Sequence, residues 1–225
     1  MLDVFPTCKF AFASREVRVV QNTISGGTSL AGDETLIASD GGGRWVAEYG
    51  NAPLNRRDKV LAWRAFRAIM EGGIVPFVFP ICDVRHQPIS SKRSFVLHSD
   101  QTPFSDDAGY DGSGGNSVTA TAAPVRATSI SINMNLLEKP IIGGERFSID
   151  HPTMRHRLYE IKRISGETIE FRPPLREAVD AGTAIEFRDP KCVMRLTSDM
   201  NAPLDGPRFA TGSISLIEDM TGNYD

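Results

Sequence analysis

The chain has 225 residues, enough for one large domain or two smaller ones, and its 40% hydrophobic and 24% charged content is that of a globular protein rather than a disordered one. A net charge of -3 lacks the basic excess of proteins that neutralise phosphates, so tight nucleic-acid binding is not expected. The opening residues Met1 to Pro6 carry an early acid and no signal-like apolar core, and no segment approaches the ~20 apolar residues of a membrane span, which predicts a cytoplasmic chain with no membrane segment.

Twenty glycines and 14 prolines punctuate short β-branched runs, a pattern of strands joined by turns. Arg15 to Val20, Thr35 to Ala38, Trp45 to Tyr49 and Ile74 to Ile81 each read as a strand. Between the last two lies a helix over 55–71, with Asn55 as its N-cap and Asp58 complementing its positive end. Val60, Trp63, Phe66 or Arg67, and Ile69 or Met70 form its apolar stripe, and Gly72-Gly73 stops it.

Residues 85–128 accumulate Gly, Ser, Asp, Thr and Ala and predict a long flexible loop. Strand signals resume at Ser129: Ile130 and Ile132, then Arg146 to Ile149, Leu158 to Ile164, Thr168 to Phe171 and Ala184 to Phe187, an arrangement suited to a small β-barrel over 129–196. A last strand, Gly212 to Glu218, is expected to return to the first unit, because residues 1–84 leave sheet edges needing a partner. The predicted fold class is therefore mainly β: a β-sandwich from 1–84 and 197–225 with one packing helix, plus an inserted small β-barrel. The competing topology is two consecutive domains.

Motifs for chemistry are sparse. His151 and His156 are five apart with Pro152 between, unlike zinc ligands on one helical face. Ser25-Gly26-Gly27 and Gly41-Gly42-Gly43 lack the Lys-Ser or Lys-Thr and the helix start of a phosphate loop, and read as turns. Asp100, Asp106, Asp107 and Asp111 miss the EF-hand spacing, and no Gly-x-Ser-x-Gly elbow occurs. Cys8, Cys82 and Cys192 have no CxxC spacing and read as buried thiols, with Cys82 and Cys192 expected close but unbonded where the barrel leaves and rejoins its host. No catalytic residue, metal ligand or cofactor is predicted.

Phe171-Arg172-Pro173-Pro174-Leu175-Arg176-Glu177, set among Gly143-Gly144-Glu145-Arg146-Phe147, Arg157-Leu158-Tyr159-Glu160-Ile161 and Met194-Arg195-Leu196, resembles the C-terminal half of small tail proteins of long-tailed bacteriophages. Ile24 to Gly32, Gly43-Arg44-Trp45 and the Trp63-centred helix resemble the opening of phage tail-tip or distal-tail proteins. The resemblance implies a non-enzymatic virion protein with a tail-tube-like sandwich, forming a homo-oligomeric ring, commonly a hexamer, at the tail tip or baseplate. Its implied partners are further copies of itself, the tail tube protein, and the hub and other tail-tip proteins, with host cytoplasm as the site of assembly. Arg172, Pro173, Pro174, Arg176 and Glu177, with Phe104 and Tyr110, are the candidate subunit-interface residues; for the first five a rigid hairpin end with solvated charges is the competing reading. A host-glycan-binding module, using Phe147, Tyr159, Phe171 and Phe187, and a cell-wall hydrolase are the alternatives.

Overall fold

Alternation of apolar and polar residues favours strands over helices, and a computed structural model is mainly β with one long helix. It describes residues 2–21, 23–38, 41–81, 86–88, 94–96, 110–112, 117–119, 121–134, 137, 139–198, 200, 202, 210–222 and 224. In chain order the elements are α1 (Thr7–Phe10), β1 (Ser14–Val20), β2 (Thr23–Thr28), β3 (Glu34–Ala38), β4 (Arg44–Pro53), α2 (Arg57–Ile69) and β5 (Phe77–Pro80). The short strands β6 (Ser94–Val96), β7 (Tyr110–Gly112), β8 (Ser117–Val118) and β9 (Ser129–Ser131) follow. Then come β10 (Arg146–His151), β11 (Arg155–Ser165), β12 (Thr168–Arg172), β13 (Ala184–Ile185), β14 (Lys191–Leu196) and β15 (Thr211–Glu218).

A five-stranded antiparallel sheet runs β1-β4-β15-β14-β5, so both ends of the chain supply strands to one layer. The β5 edge is covered by the N-terminal segment: the Phe5 amide donates to the Val78 carbonyl at 2.9 Å and the Val78 amide to the Asp3 carbonyl at 2.8 Å. The apolar face of this sheet packs on α2 and on Phe5, Phe10 and Phe12, which precede any strand the sequence announces. Ring edges meet ring faces there, with Phe10 and Trp63 centroids 5.2 Å apart and Tyr49 and Phe79 4.9 Å apart. Such contacts add about 0.5–1.5 kcal/mol each beyond area burial.

The helix resolves its stripe as Val60, Trp63, Phe66 and Met70 facing the core, leaving Arg67 and Ile69 outside. Its N-cap is Arg56, not Asn55, and no side chain caps it. The reason is upstream: the Leu54 amide still donates to the Ala210 carbonyl at 2.9 Å, so the chain leaves the sheet too late to begin a helix after Asn55. Trp63 lies against Gly212, where an added Cβ would come within 2.8 Å of the indole.

A second, four-stranded antiparallel sheet runs β10-β11-β12-β9 and is joined by the pair β13-β8 and by the isolated bridge Ser148 to Glu186. Its core contains Phe147, Tyr159, Phe171, Phe187, Ile130, Ile149, Ile161 and Leu175. Neighbouring residues of β11 serve the two cores: Leu158 belongs to the first and Tyr159 to the second.

Three expectations are corrected. Lys191–Leu196, assigned to the second unit, pairs with β5 and β15 in the first sheet, because Cys192, Val193 and Met194 are buried there and alternation alone cannot say which sheet a strand joins. The stretch 85–128, expected as one flexible loop, contains β6 paired with β7, β8 paired with β13, and the Ala123 to Val179 bridge; runs too short to show periodicity can still pair at long range. Cys8 is in a disulfide rather than a thiol, and it is exposed; the absence of CxxC spacing does not exclude a disulfide. Cys192 is a free, buried thiol, whereas Cys82 lies outside the described residues, and with it the expected closeness of the pair.

Candidate functional site

Glu218 ends β15 with no solvent exposure and gathers four donors. The Trp45 amide reaches its Oε2 at 3.2 Å, Arg157 Nη1 its Oε1 at 3.5 Å, and Arg176 binds both oxygens, Nε to Oε1 at 3.2 Å and Nη2 to Oε2 at 2.8 Å. The same Arg176 Nη2 donates to the Gly43 carbonyl at 2.6 Å. Gly43 has φ +85°, and a Cβ there would meet the Val20 carbonyl at 2.5 Å, so only glycine presents its carbonyl in this way.

Arg157 on β11 is fully buried and also donates to the Asp219 carbonyl and the Tyr224 hydroxyl, with its guanidinium 5.5 Å from the Tyr224 ring centroid. Burial opposes its charge, but Cys192, Glu218 and Tyr224 outweigh burial and hold its pKa above the ordinary arginine value. Asp219, also buried, accepts from the Thr221 amide at 3.2 Å and lies 3.7 Å from Arg195 Nε. Three guanidiniums thus meet two carboxylates where the sheets join, Arg157 and Arg176 at Glu218 and Arg195 at Asp219. Trp45 Nε1 adds a bond to the Leu158 carbonyl at 2.6 Å, and Arg146 Nη2 one to the Val17 carbonyl at 2.9 Å.

This cluster is a clasp. Apart from Arg157 Nε, which is buried without a partner, the donors and acceptors around Glu218 are consumed by one another and by backbone, the arrangement that fixes one packing of two layers rather than one that receives a substrate.

His151 lies beside it, fully buried, its Nε2 2.8 Å from the Tyr159 hydroxyl. Burial pushes its pKa down to about 4, with Arg157 adding to the shift and Glu177 and Asp150 opposing it, so the ring is neutral at pH 7. The Tyr159 hydroxyl is pushed up by burial and accepts the Arg176 amide at 3.2 Å.

The sequence-predicted residues are distributed differently from an exposed rim. Pro173 and Leu175 are buried, and the Arg172-Pro173 peptide bond is cis. Arg176, predicted to contact a neighbour or to be solvated, is instead turned into the clasp with 8% of its side chain exposed, because Glu218 offers a buried bidentate partner. Glu177 accepts the Thr153 and Met154 amides at 3.1 and 2.9 Å; partial burial works against its charge, but those amides outweigh burial and keep its pKa below the usual carboxylate range. Arg172 donates from Nη1 to its neighbour's carbonyl at Phe171. Tyr110 lies on β7, and Phe104 is outside the described residues, as are Asp100, Asp106 and Asp107. The clasp members Arg157 and Glu218 were missed; the available signal was a charged residue on the apolar phase of each strand.

Phe147, Tyr159, Phe171 and Phe187, the aromatics a glycan would need, are all core residues without exposure. Two adjoining grooves of about 420 and 530 Å3 share His86 and Arg146. The acid in the larger one, Glu145, is held by the Ile142 and Gly143 amides at 2.7 Å each. Among the described residues no three His, Cys, Asp or Glu gather as a metal site, and no helix is long and apolar enough to cross a membrane. No protein-family model matches the chain, and no curated protein matches it.

Proposed function

We infer that the chain is a structural virion protein of a long-tailed phage or phage-like particle, resembling distal-tail proteins, and that copies of it close into a ring at the tail tip or baseplate. The observation that carries this reading is the β2-β3 hairpin: every described side chain on both strands is exposed, including Ile24, Leu36 and Ile37. A two-stranded hairpin is marginal alone, and apolar residues gathered on one mark a contact with another chain. In this reading the five-stranded sheet with α2 is the tail-tube-like sandwich unit and the second sheet belongs to an inserted small barrel, which the strands contributed by both chain ends support. The clasp then serves rigidity between the two units, and no reaction or cofactor is assigned. The tube protein, the hub and other tip proteins are the proposed neighbours, in the virion and, during assembly, in the host cytoplasm.

Native mass spectrometry tests the reading. A closed ring of identical copies is expected, with six the number the resemblance implies; a monomer at every concentration, together with absence from purified virions, counts against it.

A further inference from the structure

The hairpin and the outer face of α2 are complementary in charge, length and apolar pattern. Residues 23–38 contain Asp33 and Glu34 and neither Lys nor Arg, a net charge of -2. Residues 56–71 contain Arg56, Arg57, Lys59, Arg64 and Arg67 against Asp58 and Glu71, a net charge of +3. With Trp63, Phe66 and Met70 turned to the core, the opposite face of α2 presents Arg57, Leu61, Arg64, Ala65 and Ala68, all exposed. Their spacing of four, three, one and three residues keeps them on one side of a helix. An exposed leucine followed by two alanines makes a shallow apolar track with arginines beside it, a surface on which another apolar face can seat.

The hairpin fits that track. Ile24 and Ile37 are register partners, hence neighbours on one face of the ribbon, and Leu36 lies on the other. The hairpin tip is internally braced: the Ser29 hydroxyl accepts the Ala31 and Asp33 amides at 3.2 and 3.1 Å, and the Ser29 amide donates to the Asp33 carbonyl at 2.8 Å. Asp33 is therefore carried at the tip in a set position, with little ordering left for binding to supply, while Glu34 accepts the Ser25 hydroxyl at 2.9 Å on the Leu36 face. Six residues of strand and 13 of helix each span roughly 20 Å, so the two surfaces match in length.

We propose that the Ile24-Ile37 face of the β2-β3 hairpin of one copy docks on the Leu61-Ala65-Ala68 face of α2 of a second copy, with Asp33 paired to Arg57. The two patches differ, so the contact is head-to-tail and repeats until it closes, as a ring requires. The inference deepens the ring reading and rests on it.

All the residues involved are exposed, so their replacement tests docking without unfolding the chain. Ile24→Lys with Ile37→Lys is expected to reduce the assembled species to monomer in native mass spectrometry. Asp33→Lys is expected to weaken assembly by about tenfold or more, and Arg57→Glu in the same chain to restore it. A photo-crosslinking residue at position 37, in an equal mixture of isotopically light and heavy chains, is expected to give light-heavy crosslinks to 57–69. Assembly that survives the isoleucine substitutions, a charge swap without rescue, or intermolecular crosslinks that map elsewhere overturns this contact and leaves the ring standing. A native chain that remains monomeric overturns both.

Discussion

Arg157 and Glu218 belong to different sheets, lie 3.5 Å apart and have no solvent exposure on either side chain. Arg176 adds a bidentate grip on the same carboxylate from the segment after β12. A charge in such a place is tolerated only while its partners remain, since desolvation is repaid by good geometry and by bonds to the remaining donors.

Loss of the shared acid should therefore cost more than loss of a surface pair. Glu218→Gln is expected to destabilise the chain by about 3–5 kcal/mol in urea unfolding, because it leaves two buried guanidiniums facing a neutral amide. Replacing all three groups together, Glu218→Leu with Arg157→Met and Arg176→Met, should recover most of that loss. A triple variant no more stable than the single one would mean that the clasp contributes binding energy rather than specificity of packing.

His151 gives the chain a pH dependence of defined sign. Its pKa is lowered from 6.5 to about 4 in the fold, so the unfolded chain binds the proton more readily. Its contribution is fully present above pH 6.5 and is lost as the pH falls toward 4, a total of about 3 kcal/mol by linkage. Urea midpoints measured from pH 7 to pH 4 should fall less steeply for His151→Gln than for the unaltered chain. Equal slopes would place the neutral ring outside the acid response.

Much of this architecture is legible in the sequence where periodicity is sustained. The strands expected at Arg15, Trp45, Arg146, Leu158, Thr168 and Gly212 all form, because a half-buried strand writes its alternation locally. What alternation omits is the partner: Lys191–Leu196 is apolar enough for either core, and only its register with Phe77–Pro80 decides the sheet. Arg176 was legible as a charged residue beside two prolines, but its inward turn depends on Glu218, 42 residues later. The N-terminal aromatics were hidden for another reason: Phe5, Phe10 and Phe12 pack from an almost irregular segment whose helix is only four residues long.

The approach of Trp63 to the sheet depends on the absence of a side chain at Gly212. An alanine Cβ would meet three indole carbons at 2.8, 2.9 and 3.1 Å, and the ring is held by Phe10 and Phe12 behind it. Gly212→Ala is expected to cost about 1–3 kcal/mol through overpacking. Combined with Trp63→Leu, it should cost less than the sum of the two single changes, since the smaller side chain vacates the space. Additive losses would show that the alanine is accommodated by a shift of β15 and not by the indole.

Cys192 reports on how the clasp opens. Its thiol is fully buried, and burial, helped by Glu218, pushes its pKa far above the ordinary thiol value, so no thiolate is presented at pH 8. Alkylation at this residue, followed by peptide mass spectrometry, should be undetectable until the surrounding sheet opens. The rate then follows the population of the open form when closing outpaces the reaction. If that opening is the global one, Glu218→Gln should raise the rate about a hundredfold, the factor that a loss of about 3 kcal/mol implies. Glu48→Gln, on the exposed surface pair with Arg18, should leave the rate unchanged. A Cys192 rate insensitive to Glu218→Gln would show that β14 opens locally, independently of the seam between the sheets.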